Sequence, residues 1–226
     1  MLRHGEVLGI AGLVGAGRSE LLRCVFGLDQ VRAGEVRGER AIRLGRAPRA
    51  SIASGVGFVS EDRKGEGLAL GLSVEDNLTL ARLDPFARLG WLSLAARRRC
   101  VEGWLERMRC KGGPEQRIDA LSGGNQQKIA LARLLHQEAD VLLLDEPTRG
   151  IDVGTKAEIY RWIDELACQG KAILLVSSYL PELLGVCDRI AVMRRGELVE
   201  VRPASQWTEE DLLRCATGAL AREGAA

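Results

Sequence analysis

The run Val141-Leu142-Leu143-Leu144-Asp145-Glu146-Pro147 constrains this chain more than any other stretch. Four consecutive apolar residues without polar alternation fit a strand covered on both faces, the condition of a parallel strand inside an α/β sheet. The run ends in two carboxylates, and such sheets bind ligands outside the carboxyl ends of their strands. Upstream, Leu121-Ser122-Gly123-Gly124-Asn125-Gln126-Gln127 reads as a loop entering a helix. Residues 125–135 place Leu131, Leu134 and Leu135 on one helical face. Two glycines ahead of that helix let the backbone come close to a ligand, and the helix start offers free N–H groups to an anion. Taken singly, either feature is ordinary. A small-residue turn before a helix is usually a cap, and an apolar run before an acid is usually just a strand.

A third feature changes their weight. Residues 7–11 are apolar, Gly12-Leu13-Val14-Gly15-Ala16-Gly17-Arg18-Ser19 follows, and residues 20–27 read as a helix closed by Gly27. Strand, glycine-rich turn and helix form the context of a phosphate-binding loop. Gly12, Gly15 and Gly17 let successive N–H groups wrap a phosphate, and the Ser19 hydroxyl suits Mg²⁺. Arg18 stands where such a loop carries lysine. It keeps the charge but replaces a compact ammonium with a planar fork. A ligand-free glycine turn is the plain alternative, and the later motifs count against it.

Composition narrows the class of function. Lys plus Arg total 32 against 31 Asp plus Glu, a net charge of +1, which argues against a strongly basic nucleic-acid binder though not against a local basic patch. No apolar run approaches the roughly 20 residues needed to span a bilayer, and the first residues lack a signal-peptide pattern. The 6 cysteines are scattered without a Cys-x-x-Cys pair, so they read as reduced packing thiols of a cytosolic protein, not metal ligands.

The remaining chain supplies connections and helices. Residues 34–45 read as a polar hairpin, 56–60 as a strand, and Glu61 to Gly67 as a charged loop. Ser73 caps a short helix, with Asp76 in the capping-box position. Residues 84–90 read as a loop, and 94–110 as a basic helix that buries Leu94, Val101, Leu105 and Met108. Arg97-Arg98-Arg99 without interleaved aromatics is a solvated helix face. Asp152 caps a helix over 153–169 that buries Ile159, Trp162, Ile163 and Leu166. Residues 172–176 form another buried strand that leads to Ser177-Ser178. A β-hairpin turning at Arg195-Gly196, a short helix from Thr208 and a frayed tail over 219–226 complete the reading.

In this order and spacing the motifs resemble the ATP-binding cassette (ABC) family over nearly the whole chain. The resemblance implies an α/β P-loop fold with a mostly parallel sheet. Its core would span about 1–72 and 121–226, with a helical subdomain over about 73–120 and a small, truncated antiparallel part. It implies ATP and Mg²⁺ as ligands, with Ser19 and Asp145 on the metal and Glu146 polarising the attacking water. Gly12, Gly15, Gly17, Arg18, Ser19 and Glu20 would cradle the phosphates. Ser122, Gly123, Gly124 and Gln126 form the signature loop, which in the family caps ATP held by a second cassette. Asp152 matches the loop crossing that interface. Glu61 stands where the family carries a glutamine that senses the metal, so the charged run reads either as a coupling loop or as a solvated surface. Ser178 stands where the family carries a switch histidine. The family's N-terminal strand, with its adenine-stacking aromatic, is not found ahead of residue 7, so the chain looks like an incomplete cassette.

Gly-Ala-Gly-Arg-Ser-Glu, Ser-Glu-Asp-Arg-Lys, Leu-Ser-Gly-Gly-Asn-Gln-Gln-Lys and Ser-Ser-Tyr-Leu-Pro-Glu together look like the C-terminal cassette of bacterial simple-sugar importers of the ribose, galactose and xylose type. That implies a second cassette, a membrane permease dimer and, indirectly, a periplasmic sugar-binding protein as partners. It also implies a cytoplasmic location against the inner face of the membrane. Two readings stay open: a transport ATPase subunit, or a non-catalytic cassette that completes its partner's site. A DNA-repair or translation ATPase would show coiled-coil insertions or basic linkers, and none is visible.

Overall fold

A computed structural model describes residues 1–38, 43–44 and 47–218. β1 (Val7–Ala11) runs through the glycine turn into α1 (Arg18–Phe26), followed by β2 (Val36–Arg37), β3 (Arg43–Leu44), α2 (Pro48–Ala53) and β4 (Val56–Val59). Next come α3 (Val74–Thr79), β5 (Ala87–Arg88), β6 (Trp91–Leu92), α4 (Leu94–Arg107) and α5 (Gly123–His136). The chain closes with β7 (Val141–Asp145), α6 (Val153–Cys168), β8 (Ala172–Val176), α7 (Leu180–Val186), β9 (Arg189–Arg194), β10 (Glu197–Pro203) and α8 (Glu209–Thr217). β2 and β3 pair antiparallel within the expected hairpin over 34–45. Residues 39–42 and 45 of that hairpin, and the expected frayed tail 219–226, lie outside the described residues.

The main sheet has the order β10-β9-β1-β8-β7-β4. β9, β1, β8, β7 and β4 run parallel, and β10 returns antiparallel along β9. Strand alternation sends Leu142 and Leu144 to one face, packed with Ile173, Leu175, Ile129 of α5 and Ile159 of α6. Leu143 faces the other way, with Leu174, Val176, Ile10 and Leu22 of α1. Both faces are therefore dry, as the unbroken apolar run requires. α3 and α4 pack together, and α3 also packs on α5.

Four local expectations are corrected. The helix from residue 94 ends at Arg107, and Leu94 is 64% exposed while Val101, Leu105 and Met108 are buried. Helical side chains lean back over the preceding turn, and the first residue of a helix has no preceding turn to cover. Residues 84–90 contain a 3₁₀ turn, Asp84–Phe86, and part of the β5–β6 hairpin. Its two turn residues, Leu89 and Gly90, both take positive φ (51° and 82°), as the tightest hairpin turn demands. The charged run after Glu61 is a π-turn, Arg63–Gly67, because the Asp62 carboxylate accepts from the Gly65 N–H. Gly123 and Gly124 lie inside the first turn of α5, since Ser122 is the cap and accepts from the Asn125 N–H.

Burial sets different costs for two leucines. Leu144→Ala should lose about 2–5 kcal/mol, the usual range for a buried leucine truncation. Leu94→Ala should stay within about 0.5 kcal/mol. Urea unfolding of both variants checks this, and equal losses would contradict the packing described.

Candidate functional site

Four neighbouring parallel strands bring their carboxyl ends to one edge of the sheet. β1 delivers the glycine turn, β8 Ser177 and Ser178, β7 Asp145 and Glu146, and β4 Ser60 and Glu61. Within the turn, Gly17 caps α1 at φ 97°, and Gly15 takes φ 79° with open space where a Cβ would point. Gly12 is needed for packing, since a Cβ there would lie 2.5 Å from the Met193 carbonyl oxygen. The first N–H groups of α1 have no intrahelical acceptor, and with the helix dipole they favour an anion. A 260 Å³ cavity at this point is lined by Gly15, Gly17, Arg18, Ser19 and Glu20, with Glu61, Glu146 and Ser178 opposite. A 560 Å³ cavity shares Ser19 and Glu61 with it and adds Asp145. The structure thus gathers most of the expected phosphate and metal residues.

Charge at this edge is under tension. Asp145 is 2% exposed, and its Oδ1 has no hydrogen-bond partner among the described residues. Burial raises its pKa, opposed by the Ser19 hydrogen bond and the Arg18 charge. Glu146 is also buried and also raised by burial, opposed by the Ser178 hydroxyl and by Arg18. Its backbone takes φ 47°, a left-handed conformation that is uncommon outside glycine and clusters at functional sites. Ser178 Oγ donates to Glu146 Oε2 at 3.1 Å. Arg18 does not extend into the open turn. Its Nη1 donates to the Ser177 carbonyl at 2.8 Å, and its Nη2 lies 3.8 Å from Glu146 Oε1.

Several contributors were not legible in the sequence. Buried Glu182 accepts from Thr148 Oγ1 at 2.8 Å and from Ser177 Oγ, tying the loop after β7 to the loop after β8. Arg149 pairs with Glu61. Arg63 Nη1 donates to the Gly123 carbonyl at 2.7 Å. No spacing rule announces these contacts, because all but the Ser177–Glu182 bond join segments far apart in the chain.

Ser122, Gly123 and Gly124 line neither cavity. Ser122 is exposed, and a Cβ on Gly124 would meet Thr155 Oγ1 at 2.9 Å and Asp152 Oδ2 at 3.4 Å. The turn and the Asp152 cap therefore form a second cluster. Gln126, expected among the ligand-binding residues, is 6% exposed and donates Nε2 to the Ile118 and Leu121 carbonyls. Its side chain faces inward.

A mostly parallel sheet with a glycine turn between β1 and α1, and acids at the end of β7, defines the P-loop nucleotide-binding class of α/β proteins. Residues 1–149 match the family described as ABC transporter, and the chain belongs to that family. It is 50% identical over 219 residues to the ribose import ATP-binding protein RbsA 3 of Rubrobacter xylanophilus, covering 96% of this chain and 44% of that protein. It is 47% identical over 218 residues to RbsA of Chromobacterium violaceum, with 96% and 43% covered. The chain spans less than half the length of these relatives. Among solved structures it is similar in fold to a dimeric ATP-binding cassette in a post-hydrolysis state bound to ADP and Pi. That match has a TM-score of 0.78 at 24% identity, with 92% of this chain and 89% of the other covered. No helix among the described residues is long and apolar enough to cross a membrane.

The raised carboxyls carry a stability cost with a defined sign. A carboxyl raised by burial binds its proton more tightly folded than unfolded, so stability falls as pH climbs from 3.8 for Asp145 through its raised folded value. Removing the Asp145 charge should recover about 1 kcal/mol, or about 2–4 °C in Tm for a chain this size. Asp145→Asn is therefore expected to melt higher than the parent at pH 7, with the gain fading toward pH 4. Thermal melts across that range check it, and a lower melting point at pH 7 would refute it.

Proposed function

We propose that this chain is an ATP-binding and ATP-hydrolysing part of a sugar importer, coupling nucleotide turnover to solute uptake through a membrane permease. The carrying observation is the cluster of Ser19, Asp145 and Glu146 at the N-terminus of α1, with the Asp145 oxygen left unpaired. Names of the relatives support the sugar assignment. The donor set suits Mg²⁺: an orphaned buried carboxylate oxygen and a hydroxyl, both hard oxygen donors. Bound there by Ser19 and Asp145, Mg²⁺ would neutralise phosphate charge.

The chain's own residues take distinct tasks. Gly15, Gly17 and the first N–H groups of α1, with Ser19 and Glu20 beside them, hold the phosphates of ATP. Glu146 orients the attacking water, and Ser178 steadies Glu146 by its hydrogen bond. Glu61, paired with Arg149, reports on the state of the cavity. Ser122, Gly123 and Gly124, with Asp152 beside them, serve the nucleotide of a second cassette, for which an exposed Ser122 is required. Residues 73–120, with α3 and α4, act as the subdomain that docks on a permease dimer, and the rest forms the nucleotide-binding core. A periplasmic sugar-binding protein delivers solute on the far side. The chain works on the cytoplasmic face of the inner membrane and binds no nucleic acid.

One observation favours the second reading, a cassette that binds weakly and mainly completes its partner's site. Arg18, in place of the phosphate-binding lysine, is held by the Ser177 carbonyl and Glu146 instead of reaching the turn. A lysine lacks the fork that bridges these two acceptors. Arg18→Lys should therefore tighten Mg-ATP binding by about tenfold, equivalent to one charge-assisted hydrogen bond of about 1.5 kcal/mol. Calorimetry reads the change, and unchanged affinity would clear Arg18 of the defect. Steady-state ATP hydrolysis by the chain, lost in Glu146→Gln, would decide for the catalytic reading.

Gly123→Asp separates the two clusters. An aspartate there lies beside the Arg63 guanidinium, 3.5 Å from the Cβ position, and places negative charge where the partner's nucleotide would sit. Transport by the assembled importer should stop while Mg-ATP binding by this chain stays within about twofold, less than 0.5 kcal/mol. Loss of binding by the chain itself would count against a role in trans.

A further inference from the structure

Glu182, in the first turn of α7, is 3% exposed and faces no cation among the described residues. A buried carboxylate is costly unless its oxygens are filled by donors. Thr148 Oγ1 donates to Oε1 at 2.8 Å, and Ser177 Oγ donates to Oε2. A carboxylate only accepts, so both hydroxyls are forced to donate and their rotation is fixed. Ser177 Oγ then has a lone pair for the Tyr179 N–H, which donates to it at 3.0 Å. Burial, and after it the Glu182 charge, pushes the Tyr160 hydroxyl up to about 12. This neighbour is therefore a neutral phenol at pH 7 and supplies no countercharge.

The two hydroxyls belong to the two segments that frame Glu146. Thr148 lies two residues beyond it, in a turn whose Arg149 N–H donates to the Glu146 carbonyl at 3.1 Å. Ser177 sits between Val176, whose carbonyl accepts the Glu146 N–H at 2.9 Å, and Ser178, whose hydroxyl donates to Glu146 Oε2. The Ser177 carbonyl also accepts from Arg18 Nη1. Glu146 holds its left-handed φ of 47° between these segments. Such a conformation persists only where the surroundings over-determine it. Glu182 lines neither of the two cavities at the site, yet both flanks of Glu146 are tied to it.

We propose that Glu182 is the positioning residue of Glu146: through Thr148 and Ser177 it holds the backbone conformation and the Ser178 hydrogen bond that aim the Glu146 carboxylate. The functional meaning rests on the catalytic reading above, in which that carboxylate orients the attacking water. An amide at position 182 offers one acceptor and one donor group in place of two acceptors, so one hydroxyl must reverse. The tie between the two segments slackens, and Glu146 loses its fixed aim without losing its charge.

Steady-state ATP hydrolysis and hydrogen exchange in the full-length protein test this. Glu182→Gln should lower kcat by about tenfold or more while KM for Mg-ATP stays within about twofold, the pattern of an interaction expressed in the transition state. Exchange should speed by about threefold or more at 146–149 and 177–179, with α5 unchanged. Glu182→Asp keeps both acceptors and should exceed the glutamine variant in kcat by about threefold. It also carries the test if the glutamine variant folds poorly, which faster exchange throughout the chain would reveal. Unchanged kcat, a rise in KM that accounts for the whole loss, or an aspartate variant no better than the glutamine one would overturn the proposal. If the parent turns over no ATP, the catalytic reading falls. Local exchange then decides alone: faster exchange on both sides of Glu146 upholds the positioning role, and unchanged exchange there ends it.

Discussion

Everything at the site depends on one constraint: a sheet sealed on both faces has room for charge only at its strand ends. β7 and β8 are almost wholly apolar between their termini, with Leu144, Ile173 and Leu175 fully buried. The acids at the end of β7, Asp145 and Glu146, are therefore held at the rim by the strand's own packing and cannot retreat into bulk solvent. Their raised pKa values follow directly, since desolvation is the largest influence on both Asp145 and Glu146. Two reluctant carboxylates next to a helix N-terminus are the electrostatic setting that the proposed Mg²⁺ and phosphate site would need.

The network around those acids is built from the loops that leave adjacent parallel strands. Arg18 spans from α1 to the Ser177 carbonyl, Ser178 reaches Glu146, and Glu182 ties Thr148 to Ser177. All but the Ser177–Glu182 bond cross from the segment after one strand to the segment after another, which ties the connections together although no single loop is regular. Glu182 is buried without a basic partner among the described residues, and hydroxyl donors satisfy it. Buried polar groups hold a structure together only when they are satisfied in this way. Arg18 draws on the same network: its long, forked cation finds two acceptors within the protein.

Strand positions, helix caps and the glycine turn were readable because they rest on local rules. Ser73, Asp152 and Thr208 all cap the helices that their positions announce, whereas Ser122 caps α5, which begins two residues ahead of the expected start. Errors arose where a local rule met an end effect or an unanticipated partner. Leu94 kept its place in the helical stripe but had no turn to cover. The run after Glu61 carried the composition of a loop, yet Asp62 and Gly65 closed it into a turn. Gln126 sits next to residues expected to meet a ligand, and the carbonyls of Ile118 and Leu121 draw it inward.

By itself the sequence determined the parallel α/β sheet, the glycine turn and the acids at the end of β7, because periodicity, capping and backbone freedom act over a few residues. The tertiary structure alone decided where Arg18 points, that Glu182 organises two loops, and that Arg63 reaches the signature turn. Those contacts join residues 159, 34 and 60 positions apart in the chain. Only the order of strands in the sheet brings such loops within hydrogen-bond reach, and strand order is settled by packing across the whole domain.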